Sequence, residues 1–167
     1  ITVYNGTDAV TEEEIGTVFD AFRRDRTEYF ELGNSYSMTK NERTVLTLSP
    51  TYRLSGDALR EARAAFDLAV AGMLSGITSS MSEYEREKLL HDRLAAKVTY
   101  DAAGENAHDP YGALVEGRAV CEGYAEAFAY LLGKAGISAF VVTGASVDPV
   151  SGASIRHAWN LVRIDGR

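Results

Sequence analysis

Apolar residues recur at helical spacing through much of the first hundred positions, and strand-like runs take over near the end. In "TEEEIGTVFDAFRRDRTEYF", Ile15, Val18, Phe19 and Phe22 form a stripe at intervals of three and four, behind Thr11 and Glu14 in capping-box spacing. "YSMTKNERTVLTLSPTY" predicts two short strands joined by a polar turn at Lys40, Asn41 and Glu42. "SGDALREARAAFDLAVAGML" returns to the helical period, with Leu59, Ala62, Phe66, Ala69, Val70 and Met73 on one face. "SSMSEYEREKLLHDRLAAKVTY" predicts a further helix, capped by Ser80 or Ser82, with Tyr84, Leu90 and Leu94 turned inward. Residues 101–116, "DAAGENAHDPYGALVE", show neither period and predict a long loop, of a length that in a compact domain often carries function. A helix follows from about Cys121, with Tyr124, Phe128, Leu131, Leu132 and Ala135 as its buried face and Gly136 as its C-terminal cap after Lys134. "ISAFVVTGASV" and "HAWNLVRI" are β-like runs, with "SVDPVSGAS" as an exposed turn between them.

Composition narrows this picture. The 46% hydrophobic content in 167 residues suffices for one buried core with a smaller appended lobe. A net charge of -7 argues against a nucleic-acid partner, whose phosphates call for a basic patch. No window reaches the roughly 18 uninterrupted apolar residues of a membrane span. A single cysteine excludes an internal disulfide and a multi-cysteine metal site, and nothing in the chain calls for a cofactor. The chain opens on Ile1 rather than Met and reads as an excised or processed fragment, with any targeting segment out of view.

The lone thiol is where chemistry enters. Cys121 falls on the first turn of its helix, where unpaired N–H groups and the positive end of the dipole favour thiolate. Gly123 and Ala125 keep that turn small, so that a backbone or a substrate can approach closely. The other reading is a small apolar side chain filling a core, the commoner fate of a free cysteine.

A thiolate nucleophile needs a base, and there are three histidines. His91 sits within a helix, where an imidazole is usually solvated or a core filler. His108 precedes Asp109-Pro110 and is explained by turn chemistry. His157 begins the "HAWNLVRI" strand, on one face with Trp159 and Leu161, so its ring stands beside an indole that can hold it and exclude water. A strand-end surface histidine is the alternative.

"YGALVEGRAVCEGYAEAFAYLLGKAGI", then "VVTGAS", then "HAWNLVRIDGR" together resemble the core of bacterial transglutaminase-like domains, closely over residues 111–167. A weaker likeness, "EYEREKLLHDRLAAKVTYD", extends back to about residue 83. The resemblance implies an α+β, papain-like fold with the cysteine helix packed on an antiparallel sheet, preceded by a helix-rich N-terminal part. It divides the chain into residues 1–82, a helical region with a short hairpin, and residues 83–167, a catalytic core lacking its last strands. It implies Cys121 as nucleophile and His157 as general base. The activity it implies is thiol-dependent acyl transfer on amide bonds through a thioester, ending in hydrolysis or transamidation of a protein or peptide, cell-wall peptide included. Tyr111 and Tyr100 are candidates for a second oxyanion donor beside the Cys121 amide, and Trp159 for the pocket wall. The N-terminal part resembles the upstream region of some secreted or surface-attached bacterial members. The alternative is a catalytically silent domain of the same fold that binds protein or cell-wall polymer.

One expected group is missing. The family's third catalytic residue is an acid on the strand after the histidine strand. Asp165 is badly placed for it, because Asp165-Gly166 is a two-residue turn signal eight positions beyond His157, over about 20 Å at roughly 3.3 Å per residue. With the turn centred there, the position opposite His157 falls near 174 and its diagonal neighbour near 172, both past Arg167. The acid is expected beyond Arg167, and the open edge of the histidine strand offers a template for an edge-strand dimer.

Overall fold

The computed structural model describes residues 11–41, 44–148 and 150–167. The chain divides into two compact units, Ile1–Glu61 and Ala62–Arg167.

In the first unit, helix α1 (Glu12–Asp25) opens on the expected capping box, with Thr11 and Glu14 each bonding the other's backbone N–H. Strands β1 (Leu32–Asn41) and β2 (Thr44–Tyr52) form an antiparallel pair. They are longer than expected, and Lys40 and Asn41 belong to β1, paired with Val45 and Thr44. Glu42 of the expected turn lies outside the described residues. Only part of the α1 stripe is buried. Ile15 and Phe19 join Val45 and Leu48 in a small core, whereas Val18 and Phe22 are exposed. Among the described residues the partner of α1 is the β1–β2 pair, which covers a narrower stripe than the sequence offers.

Helix α2 (Gly56–Leu74) begins in the first unit and continues into the second. Its face buries Ala62, Phe66, Val70 and Met73, as the spacing predicted, and Phe66 meets Tyr130 with ring centroids 5.3 Å apart. Helix α3 (Glu83–Lys97) is capped by Ser82 in a second capping box with Glu85. Leu90 and Leu94 are buried on α3, but Tyr84 is exposed, contrary to expectation. Six residues separate Tyr84 from Leu90, about 1.7 helical turns, which points the two side chains in different directions.

After α3, the short strand β3 (Thr99–Tyr100) pairs in parallel with β4 (Arg118–Ala119). The segment between them is more ordered than a bare loop. Asp109 accepts hydrogen bonds at Oδ1 from the Tyr111 and Gly112 amides, and a π-helical turn follows over Gly112–Glu116. Helix α4 (Cys121–Lys134) then begins at the cysteine. It ends in a Schellman motif: Gly136 adopts φ +78°, its amide donates to Gly133, and the amide of buried Ile137 donates to Leu132.

Strands β5 (Ser138–Val147) and β6 (Ser154–Arg163) form an antiparallel hairpin that packs on α4. This is the α+β arrangement expected, with the cysteine helix on an antiparallel sheet. Phe128, Leu131 and Leu132 of α4 and Ala135 at its C-cap are buried as expected, while Tyr124 is only half-buried.

Candidate active site

Cys121 is the first residue of α4, half-buried, behind Val120, whose side chain cannot cap the helix. The first-turn amides therefore have no side-chain partner from the cap position. The adjoining loop reaches this turn by its backbone. The Val120 amide donates to the Ala107 carbonyl at 2.9 Å, and a Cβ added at Gly123 would lie 2.6 Å from that same oxygen. Only glycine leaves room there, so the small first turn admits a neighbouring backbone. On the loop side His108 Nδ1 lies 3.1 Å from Glu122 Oε2, a largely exposed link across the same turn.

Strand β6 is fixed to α4 by its alternate residues. Ala158 is buried, and Asn160 donates through Nδ2 to the Ala125 carbonyl at 2.8 Å. His157 and Trp159 alternate with these residues along the strand, their rings 5.8 Å apart and tilted by 32°. Gly144 stands opposite His157 in the register, and a Cβ there would meet Trp159 at 3.0 Å. The missing side chain lets the indole lean along the hairpin beside the imidazole.

These elements border an open cavity of about 350 Å³, and Cys121 and His157 both line it. Trp159 and Tyr100 line it too, and Tyr100 stacks on Tyr124, with centroids 6.3 Å apart. The Tyr124 hydroxyl donates to the Val98 carbonyl, and its burial raises the phenol pKa above its ordinary value. The rest of the wall is mostly hydrocarbon, from Leu94, Ala95 and Phe128.

Tyr111 is not among the cavity residues. It sits at the entry to the π-helical turn. Asp165 is also elsewhere. Asp165 and Gly166 have φ +50° and +78°, and Ile164 and Arg167 exchange two hydrogen bonds of 3.0 Å, the geometry of a two-residue type I′ turn. The Asp165 amide donates to Glu83 Oε2 at 2.7 Å.

Sequence reasoning passed over two lining residues, His91 and Asn160. Asn160 gave no signal beyond its place in "HAWN". His91 had one, since with Leu94 and Ala95 it occupies positions i, i+3 and i+4, a single helix face. Among the described residues no group of three or more His, Cys, Asp or Glu could hold a metal ion, and no helix is long and apolar enough to cross a membrane.

The profile of the Transglutaminase-like superfamily matches residues 72–167. No curated protein matches the chain. Among solved structures, one described as a TGase aligns at 17% identity with a TM-score of 0.51, covering 89% of this chain and 46% of that one. A putative protease from Parabacteroides distasonis aligns at 15% identity with a TM-score of 0.46, covering 77% of this chain and 28% of that one. The chain thus spans less than half the length of either structure.

Proposed function

The chain belongs to the transglutaminase-like superfamily, and we propose that residues 83–167 form a thiol-dependent acyl-transfer core acting on amide bonds of a protein or peptide. The observation that carries the reading is that Cys121 opens α4 while His157 lines the same cavity from β6.

In this reading His157 takes the Cys121 proton and the sulfur adds to the amide carbonyl carbon. The negative charge that develops on the carbonyl oxygen is met by the uncapped first-turn amide of Cys121. The C–N bond then breaks, the amine leaves with the proton from His157, and a thioester remains. Water or a second amine attacks the thioester, His157 receives its proton, and the C–S bond breaks to restore the thiol. Trp159 stands beside the imidazole, its ring centroid 5.8 Å away. Tyr100, on the cavity wall, is the candidate second donor to the oxyanion. The group that orients His157 is proposed to be a carboxylate on a strand paired to β6 after the Asp165-Gly166 turn. The paired Ile164 and Arg167 backbones, which reverse the chain direction after β6, support this reading.

The test compares iodoacetamide alkylation of Cys121 in the parent protein and in His157→Ala, followed by mass spectrometry. A general base contributes typically about 10²–10⁴-fold to proton transfer, so the variant is expected to react at least about tenfold more slowly. Amidase turnover should vanish in Cys121→Ala. Equal alkylation rates in the two proteins, both matching free cysteine, would overturn this reading and favour the silent-domain alternative.

A further inference from the structure

The cavity is lined by polar side chains that already have tasks. Tyr124 and Asn160 bond the backbone at Val98 and Ala125, and Cys121 and His157 are assigned to chemistry above. His91 has no part in that scheme, although it lines the cavity from α3. Its ring meets the Phe128 ring edge-on, with centroids 6.0 Å apart and planes at 75°. On its Nδ1 side stands Asp92 Oδ1 at 3.2 Å. Hydrogen bonds from Lys88 and then His91 hold the Asp92 carboxyl below its ordinary pKa, so it is ionised and can only accept. Nδ1 therefore carries the hydrogen, and in a neutral imidazole the remaining nitrogen, Nε2, offers a lone pair.

That lone pair belongs to a side chain that is 62% exposed, beside Leu94, Ala95 and Phe128 in a wall that also carries Tyr100 and Tyr124. An acceptor that a bound molecule covers selects for a donor, because a molecule without one displaces its water and leaves it unpaired. We propose that His91 is a substrate-binding residue whose Nε2 accepts a hydrogen bond from an N–H group of the amide or amine that enters the cavity. This rests on the reading of the cavity as the amide site. The N–H has two sources in that reaction, the peptide chain of the acyl donor and the amine that accepts the acyl group.

Trp159 is the only tryptophan of the chain and lines the same cavity, so its fluorescence reports occupancy without turnover. The experiment titrates Cys121→Ala, with His91 intact or replaced in His91→Phe, at pH 8. The probes are N-acetylphenylalanine amide, benzylamine, and an N-acetylphenylalanine amide with every N–H methylated. His91→Phe keeps a ring against Phe128 and removes the lone pair. It is expected to weaken at least one N–H-bearing probe about tenfold, the effect of one lost hydrogen bond worth roughly 1.4 kcal/mol, and to leave the methylated probe unchanged. The probe that loses affinity identifies the acyl donor or the acceptor amine as the source. Equal binding of all probes by both proteins overturns the proposal. So does equal weakening of the methylated probe, which would mark a packing loss, and so does the failure of every probe to bind the His91 protein. None of these readouts needs a reactive thiol, so Cys121 alkylation judges the chemistry separately.

Discussion

Gly123 stands where two carbonyl oxygens of the preceding segment press on the first turn of α4, those of Ala107 and Asp109. A methyl group there would sit 2.6 Å from the first oxygen and 3.0 Å from the second, and neither is the flexible end of a side chain. Gly123→Ala is therefore expected to destabilise the protein by about 1–3 kcal/mol, the usual cost of overpacking, measured by urea unfolding. It should also alter the alkylation rate of Cys121, because the backbone that must move carries the thiol. An unchanged midpoint with unchanged alkylation would show that the segment yields freely. The glycine's smallness was legible in "CEGYA" from the sequence alone. That a carbonyl and not a substrate fills the space was not, since Ala107 reaches it through a turn with no periodicity.

At the scale of elements, local signals were read well and side-chain facing less well. The capping box at Thr11, the start of α4 and its Gly136 cap depend on neighbours within a few residues and lie where the pattern put them, and of the two caps offered for α3, Ser80 and Ser82, the structure uses Ser82. Tyr84 was misread, and the exposure of Val18 and Phe22 within the α1 stripe was not foreseen, because exposure depends on which partner arrives, and that is a long-range matter. The same limit hid His91, whose role depends on α4 and β6 closing a cavity over α3.

The α3 cap also carries a pH signature. Hydrogen bonds from the Ser82 amide, then its hydroxyl, hold the Glu85 carboxyl below the ordinary glutamate value of about 4.3. A folded-state pKa that is depressed contributes stability above the unfolded value, and the contribution is lost as pH falls through the folded value. Glu85→Gln keeps the reach-back geometry and removes the titration. Stability measured by thermal unfolding should therefore favour the parent at pH 6, and the difference should shrink between pH 4.5 and pH 3. Parallel curves for parent and variant across that range would count against the cap.

On the scale of the whole molecule, the β5–β6 sheet has two strands among the described residues, so each has an outer edge with unpaired backbone groups. The face that bears His157 also exposes Phe140 opposite Leu161. Edge pairing between copies is expected, and sedimentation velocity should show a concentration-dependent dimer. A monomer throughout the range from micromolar to near-millimolar would rule that out. The papain-like likeness of residues 111–167 was legible because the thiol, the imidazole and the secondary structure between them are contiguous in sequence.

That contiguity also bears on the timing of folding. Helix α4 and strands β5 and β6 follow one another through two short connections, so the Cys121 and His157 walls of the cavity meet by closing small loops. Chains rich in contacts of low sequence separation fold fast. The carbonyls at Gly123 come from within the 101–116 segment just upstream, and the α3 wall precedes that segment, so the loops these contacts close are comparable to or shorter than the stretch from Cys121 to His157. Every wall of the cavity, those proposed to react and those proposed to receive the substrate, is thus built from neighbouring elements of one unit. None waits on a distant part of the chain, which favours fast folding of the unit as a whole.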